Sequence, residues 1–326
     1  MPLHNRIPAV ALAIVFLPAV LLSLVLLAGC SGDAPDANDI AFATAEPVPH
    51  ISTPEGEAWL SMNGEGTRMV FGRHAEGWSG HTLWETIQDS TGTWSAPAVM
   101  PFSGTYNDRA PRFYPALDAF LFSSDRPHPA DAGAEVAPST ADGAAEANEG
   151  MRDFNIWIAM HDGEDWMAPE PLDAVNSDAN DFHASVTEGG VIYFASDREG
   201  GAGRSDIYRA ELGSGGYVVA RLEGPVNTAF SEADVFADPA ERFLIFSRTA
   251  ADDSFGGDDL YVSWRTAGGW SEPVNLGPLV NTAEYEYGAW IPYPFTSDAY
   301  LHFTTHKDGQ ADVVRIPVSA IDALNE

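Results

Sequence analysis

From residue 46 onward, short apolar runs alternate with turns rich in glycine and aspartate, and the runs return in one order. Residues 180–230 show the unit. Asp181 stands 13 residues before Phe194, which closes the run Val-Ile-Tyr-Phe and leads into a polar turn. Asp206 and Tyr208 open a third run, a glycine turn follows, and Tyr217 starts a fourth. Runs this short, bounded by turn residues, predict β-strands rather than helices.

The leading acid and the aromatic return as Glu57 and Phe71, Asp108 and Phe122, Glu232 and Phe246, and Glu286 and Phe303, so the unit occurs five times. In four copies a turn precedes an aromatic at the head of the fourth strand: Trp94, Trp166, Tyr217 and Trp270. The fifth copy ends on its third strand. Residues 45–59 are similar to residues 271–290, with Glu46, Pro47 and Val48 matching Glu272, Pro273 and Val274. The missing strand thus lies at the other end of the chain. Four-stranded units repeated about every 50 residues are propeller blades, which need neighbours on both flanks to bury their faces. The expected fold is all-β: a five-bladed β-propeller over residues 45–326, closed by pairing Pro47 and Val48 with the last blade near Val313 to Ile316.

Upstream of the repeats, Arg6 precedes an apolar run over residues 7–27, and Leu27-Ala28-Gly29-Cys30 follows. This resembles a bacterial lipoprotein signal, and Cys30 is the only cysteine of the chain, so no disulfide competes for it. Residues 1–29 are expected to be the signal peptide, with Cys30 lipidated at the start of a polar tether over residues 30–44. An uncleaved membrane anchor is the alternative reading, since such a run can span a bilayer. Residues 127–150 are an acidic, alanine- and proline-rich insertion in the second copy that lacks aromatics and predicts a mobile loop.

Charge narrows the partners. Asp plus Glu number 48 against 16 Lys plus Arg, for a net charge of −32. Phosphate binding needs clustered cations, so nucleic acid is disfavoured.

The strings YFASDREGGAGRSDIY (residues 193–208), GPVNTAFSEADV (224–235) and GGWSEPVNLGPLVNT (268–282) resemble the WD40-like propeller repeats of the TolB type, found in bacterial periplasmic proteins and envelope lipoproteins. The resemblance covers roughly residues 46–318. It is looser in copies one, two and five; in one and five FGRH (71–74) and FTTH (303–306) replace the Ser-Asp-Arg turn. It implies a non-catalytic binding or scaffold module of the cell envelope. Such a module would be lipid-anchored at the outer membrane and would present its channel mouth to a protein, peptide or glycan.

Metalloprotease, phosphate-loop, nucleophile-elbow and EF-hand patterns are all missing from the sequence. The candidate site is the repeated acid: Glu57, Asp108, Asp181, Glu232 and Glu286, which would ring one mouth of the channel. No cofactor is called for, although clustered carboxylates invite Ca²⁺. Two readings stay open: the acids bind a ligand, or each accepts hydrogen bonds that join blades. The Asp125-Arg126 and Asp197-Arg198 pairs, with Asp206, Asp259 and Asp312, read as turn supports. The fourth-strand aromatics read as packing between blades, with a sugar platform as the alternative. A glycosidase is the competing function, but it requires carboxylates made unlike by their surroundings. Five acids equivalent by repeat suit a scaffold better.

Overall fold

In the computed structural model the described residues are 45–74, 80–115, 117–131, 153–249, 251–293, 295–296, 298–307 and 309–325. The signal peptide, Cys30, the tether and all but the first residues of the 127–150 insertion lie outside them. Among the described residues no helix is long and apolar enough to cross a membrane.

The chain builds five small antiparallel sheets. It begins with β1 (Glu46–Pro47), which belongs to the last of them. Blade 1 is β2 (Glu57–Met62), β3 (Arg68–His74), β4 (His81–Ile87) and β5 (Ala98–Val99); blade 2 is β6 (Asp108–Phe113), β7 (Ala119–Ser124), β8 (Asn155–Met160) and β9 (Glu170–Pro171). Blade 3 is β10 (Asp181–Val186), β11 (Ile192–Ser196), β12 (Asp206–Gly213) and β13 (Gly216–Arg221). In blade 4, β14 (Ser231–Ala237), β15 (Phe243–Thr249) and β16 (Asp258–Thr266) carry two short outer strands, β17 (Gly269–Trp270) and β18 (Val274–Asn275). Blade 5 runs β19 (Glu286–Trp290), β20 (Tyr300–Lys307) and β21 (Gln310–Pro317), and β1 completes it. This is a five-bladed propeller.

The seam is where the repeats place it. Glu46 pairs with Arg315 and Pro47 with Val314, and the Val48 amide donates to the Val313 carbonyl at 3.3 Å.

Outer strands are less regular than the sequence pattern suggests. Only in blade 3 does one unbroken strand pass through the aromatic, Tyr217. In blades 1, 2 and 4, Trp94, Trp166 and Trp270 each pair briefly, and the ladder resumes only after Pro97, Pro169 or Pro273. Proline has no N–H for the ladder, so it divides a strand. The aromatics themselves reach the preceding blade: the Trp166 indole donates to Glu85 at 3.0 Å, the Tyr217 hydroxyl lies 3.4 Å from that of Tyr114, and Trp270 meets Tyr193 edge-on.

Burial follows the blade boundaries. One apolar cluster joins Leu83 of blade 1 to Phe120 and Phe122 of blade 2, another Leu121 to Phe194, a third Tyr193 to Phe246, and a fourth Ile245 to Phe303. The fifth crosses the seam, with Val48 and Val313 against Leu60 and Phe71. Every cluster needs two blades, so the ring must close to bury them all.

Candidate functional site

The repeated acids sit at equivalent places, each at or next to the start of the innermost strand of its blade and fully buried. Each has its partners close by. Glu57 accepts from the amide and hydroxyl of Thr53, Glu232 from those of Thr228, Glu286 from those of Thr282, and Asp181 from those of Ser177. Asp108 accepts from the hydroxyls of Ser103 and Ser124. Apart from Ser124, which is the end of β7 in the same blade, these threonines and serines lie on the connector that arrives from the preceding blade. The neighbouring Asn176, Asn227 and Asn281 tie the same connectors back to Ile156, Ile207 and Leu260 of the blade just left. The five acids therefore stand where one blade is fastened to the next. Threonine or serine four residues ahead of the acid in four copies was a visible signal of this clasp.

Four clasps add an arginine, and the length of the acid decides where it comes from. Glu57 and Glu232 lie directly across the ladder from Arg73 and Arg248, whose Nε atoms approach to 3.1 and 2.9 Å. The shorter Asp108 and Asp181 face Ser124 and Ser196, and Arg126 and Arg198 reach back from two residues further on. Burial still pushes Glu57, Asp108 and Glu232 above the usual carboxylate range, against the bonds and charges that favour ionisation. Glu286 has no arginine partner among the described residues, and burial takes it to about 7. Among the described residues no group of three or more His, Cys, Asp or Glu is arranged to hold a metal ion.

Two residues beyond each acid the backbone turns left-handed. Trp59, Ala110, His183, Asp234 and Gly288 have φ of 53°, 53°, 52°, 48° and 64°, at a break in the pairing between first and second strand in every blade. Such bulges re-aim a side chain, and for residues other than glycine each costs about 1 to 3 kcal/mol. Here Trp59, His183 and Asp234, from three different blades, are brought together. The Trp59 indole donates to Asp234 Oδ1 at 2.5 Å, and His183 Nδ1 lies 3.0 Å from Asp234 Oδ2, off the ideal hydrogen-bond direction. Gly288 is glycine because Trp59 fills the space: a Cβ there would sit 2.7 Å from Trp59 Cδ1.

Arg109, His81, His74 and Tyr287 complete the constellation. The Trp59 ring lies 4.9 Å from that of His81, 5.2 Å from Tyr287 and 6.4 Å from His74. Burial pushes the imidazoles down, His74 to about 4, His81 well below its ordinary value and His183 less far, so they are neutral at pH 7. Burial also lifts Asp234, but the adjacent His183 imidazole, the Trp59 hydrogen bond and the charge of Arg112 outweigh it, leaving Asp234 lowered and ionised. Arg109 falls to about 10, again by burial, and stays charged. Arg112 spans the channel below, donating to the carbonyls of Leu60 in blade 1 and Ala289 in blade 5 at 2.9 and 2.8 Å. On the opposite face, at the far ends of the inner strands, a cavity of about 320 Å³ is lined by Met62, Phe113, Phe236 and Trp290, with Arg112 at its edge.

Repeat reasoning missed this constellation because Trp, Ala, His, Asp and Gly share no chemistry at the shared position. What they share is a backbone conformation.

No protein-family model matches the chain, and no curated protein sequence matches it. Among solved structures it is similar to TolB from Acinetobacter baumannii, at 15% identity and a TM-score of 0.45 over 82% of this chain and 55% of that one. A putative TolB from Agrobacterium tumefaciens shares 12% identity with a TM-score of 0.43 over 82% and 84% of the two chains. Trypanosoma rangeli sialidase in complex with sialic acid shares 9% identity with a TM-score of 0.42 over 83% and 56%. The chain spans about half the length of the first of these.

Proposed function

We propose that this protein is a non-catalytic binding module of the bacterial cell envelope, lipid-anchored through Cys30, which takes a polar group of a protein, peptide or glycan into its channel. One observation carries the reading: five left-handed positions, four of them strained, aim residues of different blades at a shared axis, where Arg109 and His81 keep hydrogen-bonding atoms that nothing in the described residues uses. Backbone strain retained at one place is a pointer to function. The glycosidase alternative needs two carboxylates of unlike protonation facing one cleft. In this channel Asp234 is engaged by both Trp59 and His183, and the five clasp acids are each held within a blade joint. The anchoring and envelope placement rest on the sequence pattern around Cys30.

The test pairs binding with turnover. The full chain is offered peptide and glycan arrays, and each hit is incubated with the protein and analysed for cleavage. Binding that His183→Ala and Trp59→Phe weaken, without cleavage, is the expected result. Cleavage of a bound glycan, abolished by Asp234→Asn, would replace this reading with the enzyme.

A further inference from the structure

Arg109 differs from the arginines of the clasps. Those meet a carboxylate within ion-pair distance, whereas the Arg109 side chain makes no hydrogen bond or ion pair among the described residues. Its guanidinium lies over the Phe154 ring, 3.7 Å from the centroid, and its Nε is buried without an acceptor. The side chain keeps partial access to water although titratable groups of all five blades surround it: His81, Asp125, His183, Asp234 and Tyr287. A guanidinium with one face on an aromatic ring and a bare edge is a receptor for a planar oxyanion.

The neighbours define the rest of the ligand. His81 Nδ1 lies 3.0 Å from Asn107 Oδ1, an acceptor, and so carries its proton there. His183 Nδ1 faces the Asp234 carboxylate and does the same. Both Nε2 atoms are therefore bare acceptors, buried and without a donor among the described residues. Asp234 and Asp125 lie near enough to act on Arg109 through their charge, so a dianion such as phosphate is repelled more than a monoanion.

We infer that the channel binds a carboxylate carrying adjacent hydroxyl or ammonium donors, with Arg109 holding the carboxylate and His81 and His183 accepting from the donors. The inference rests on the binding reading above and names the chemistry of its ligand. Uronic acids and α-amino acids both supply this pattern, one with hydroxyls and the other with an ammonium group.

Calorimetric titration of the full chain with galacturonate, alanine, galactose, acetate and inorganic phosphate tests it. Galacturonate or alanine should bind more tightly than galactose, acetate and phosphate; whichever of the two binds identifies the donor. Arg109→Gln should lose binding, and Arg109→Lys, which keeps charge without the fork, should weaken it by about tenfold or more. Because the Arg109 side chain makes no hydrogen bond among the described residues and Arg109→Lys keeps the charge beside Asp234 and Asp125, the lysine variant should melt close to the wild-type temperature, which separates lost binding from lost folding. His81→Leu should weaken galacturonate or alanine and leave acetate unchanged. Failure of both acids to bind, tighter phosphate binding, or unchanged affinity in Arg109→Gln would overturn the inference. A neutral ligand bound in the channel and lost in His183→Ala would overturn it too, while leaving the binding module standing.

Discussion

Glu286 accepts a hydrogen bond from Thr305 at 2.7 Å, at the ladder position where Glu57 and Glu232 meet an arginine. Among the described residues the joint between blades 4 and 5 is thus fastened without a cation, and burial lifts this carboxyl from 4.5 to about 7. A raised carboxyl favours the protonated native state, so its stabilising contribution is complete below about pH 4.5, is lost as pH rises towards 7, and changes no further above that. Wild type compared with Glu286→Gln should show a loss on the order of 3 kcal/mol across that window. Urea unfolding at several pH values measures it. Parallel pH profiles for the two proteins would remove the effect.

At the other joints the cation should matter more than the pair. Arg248→Met leaves Glu232 buried without its charge partner, at a cost of about 3 to 5 kcal/mol. Adding Glu232→Gln should restore part of it, because the neutral amide is cheaper to bury. Chemical unfolding of the single and double variants reads both. If instead the single variants at the five acids leave stability unchanged and alter calcium or peptide binding equally, the acids form a ligand ring.

The turns that meet the next connector depend on missing side chains. A Cβ on Gly203 would lie 1.7 Å from the Phe230 carbonyl oxygen, and one on Gly256 would lie 2.3 Å from Ala283. Gly203→Ala should lower the melting temperature markedly, whereas Gly215→Ala, on an open hairpin tip with nothing near its Cβ, should leave it close to wild type. Thermal melting of the two variants makes the comparison.

Closure should be worth as much as a core. Ile51 is fully buried across the seam, so Ile51→Ala should cost about 2 to 5 kcal/mol. Removing residues 45–50 should go further and abolish the single cooperative transition, since it strips blade 5 of its outer strand. An unchanged melt after that deletion would show the ring to be closed by other means.

Much of this molecule could be read from its repeats. The acid, the buried aromatic and the circular match of residues 45–59 gave five blades and the seam at Pro47, because packing between blades imposes the same apolar pattern on every copy. The clasp was half legible: Glu57 and its equivalents stood out, but the threonine four residues before them needed the loop geometry to acquire meaning. Arg73 and Arg126 serve the same purpose from different positions, since a glutamate and an aspartate differ in reach by one methylene. The channel was opaque. Trp59, His183 and Asp234 meet only because bulges on three separate strands turn them to one axis, and nothing in residue type marks that conformation.

The seam also sets where the ring can open. It pairs two positions, Glu46 with Arg315 and Pro47 with Val314, whereas β12 and β13 of blade 3 pair six. A closed propeller resembles a belt, and here the buckle that joins the two chain ends is a short overlap, so thermal fluctuation or tension on the segment before residue 46 will undo blade 5 first. Exchange of the Val48 amide should then precede that of amides in blades 2 and 3. A chain rejoined across the seam and reopened at the β12–β13 turn would carry a buckle three times as long and should give way last at the place where the natural protein gives way first.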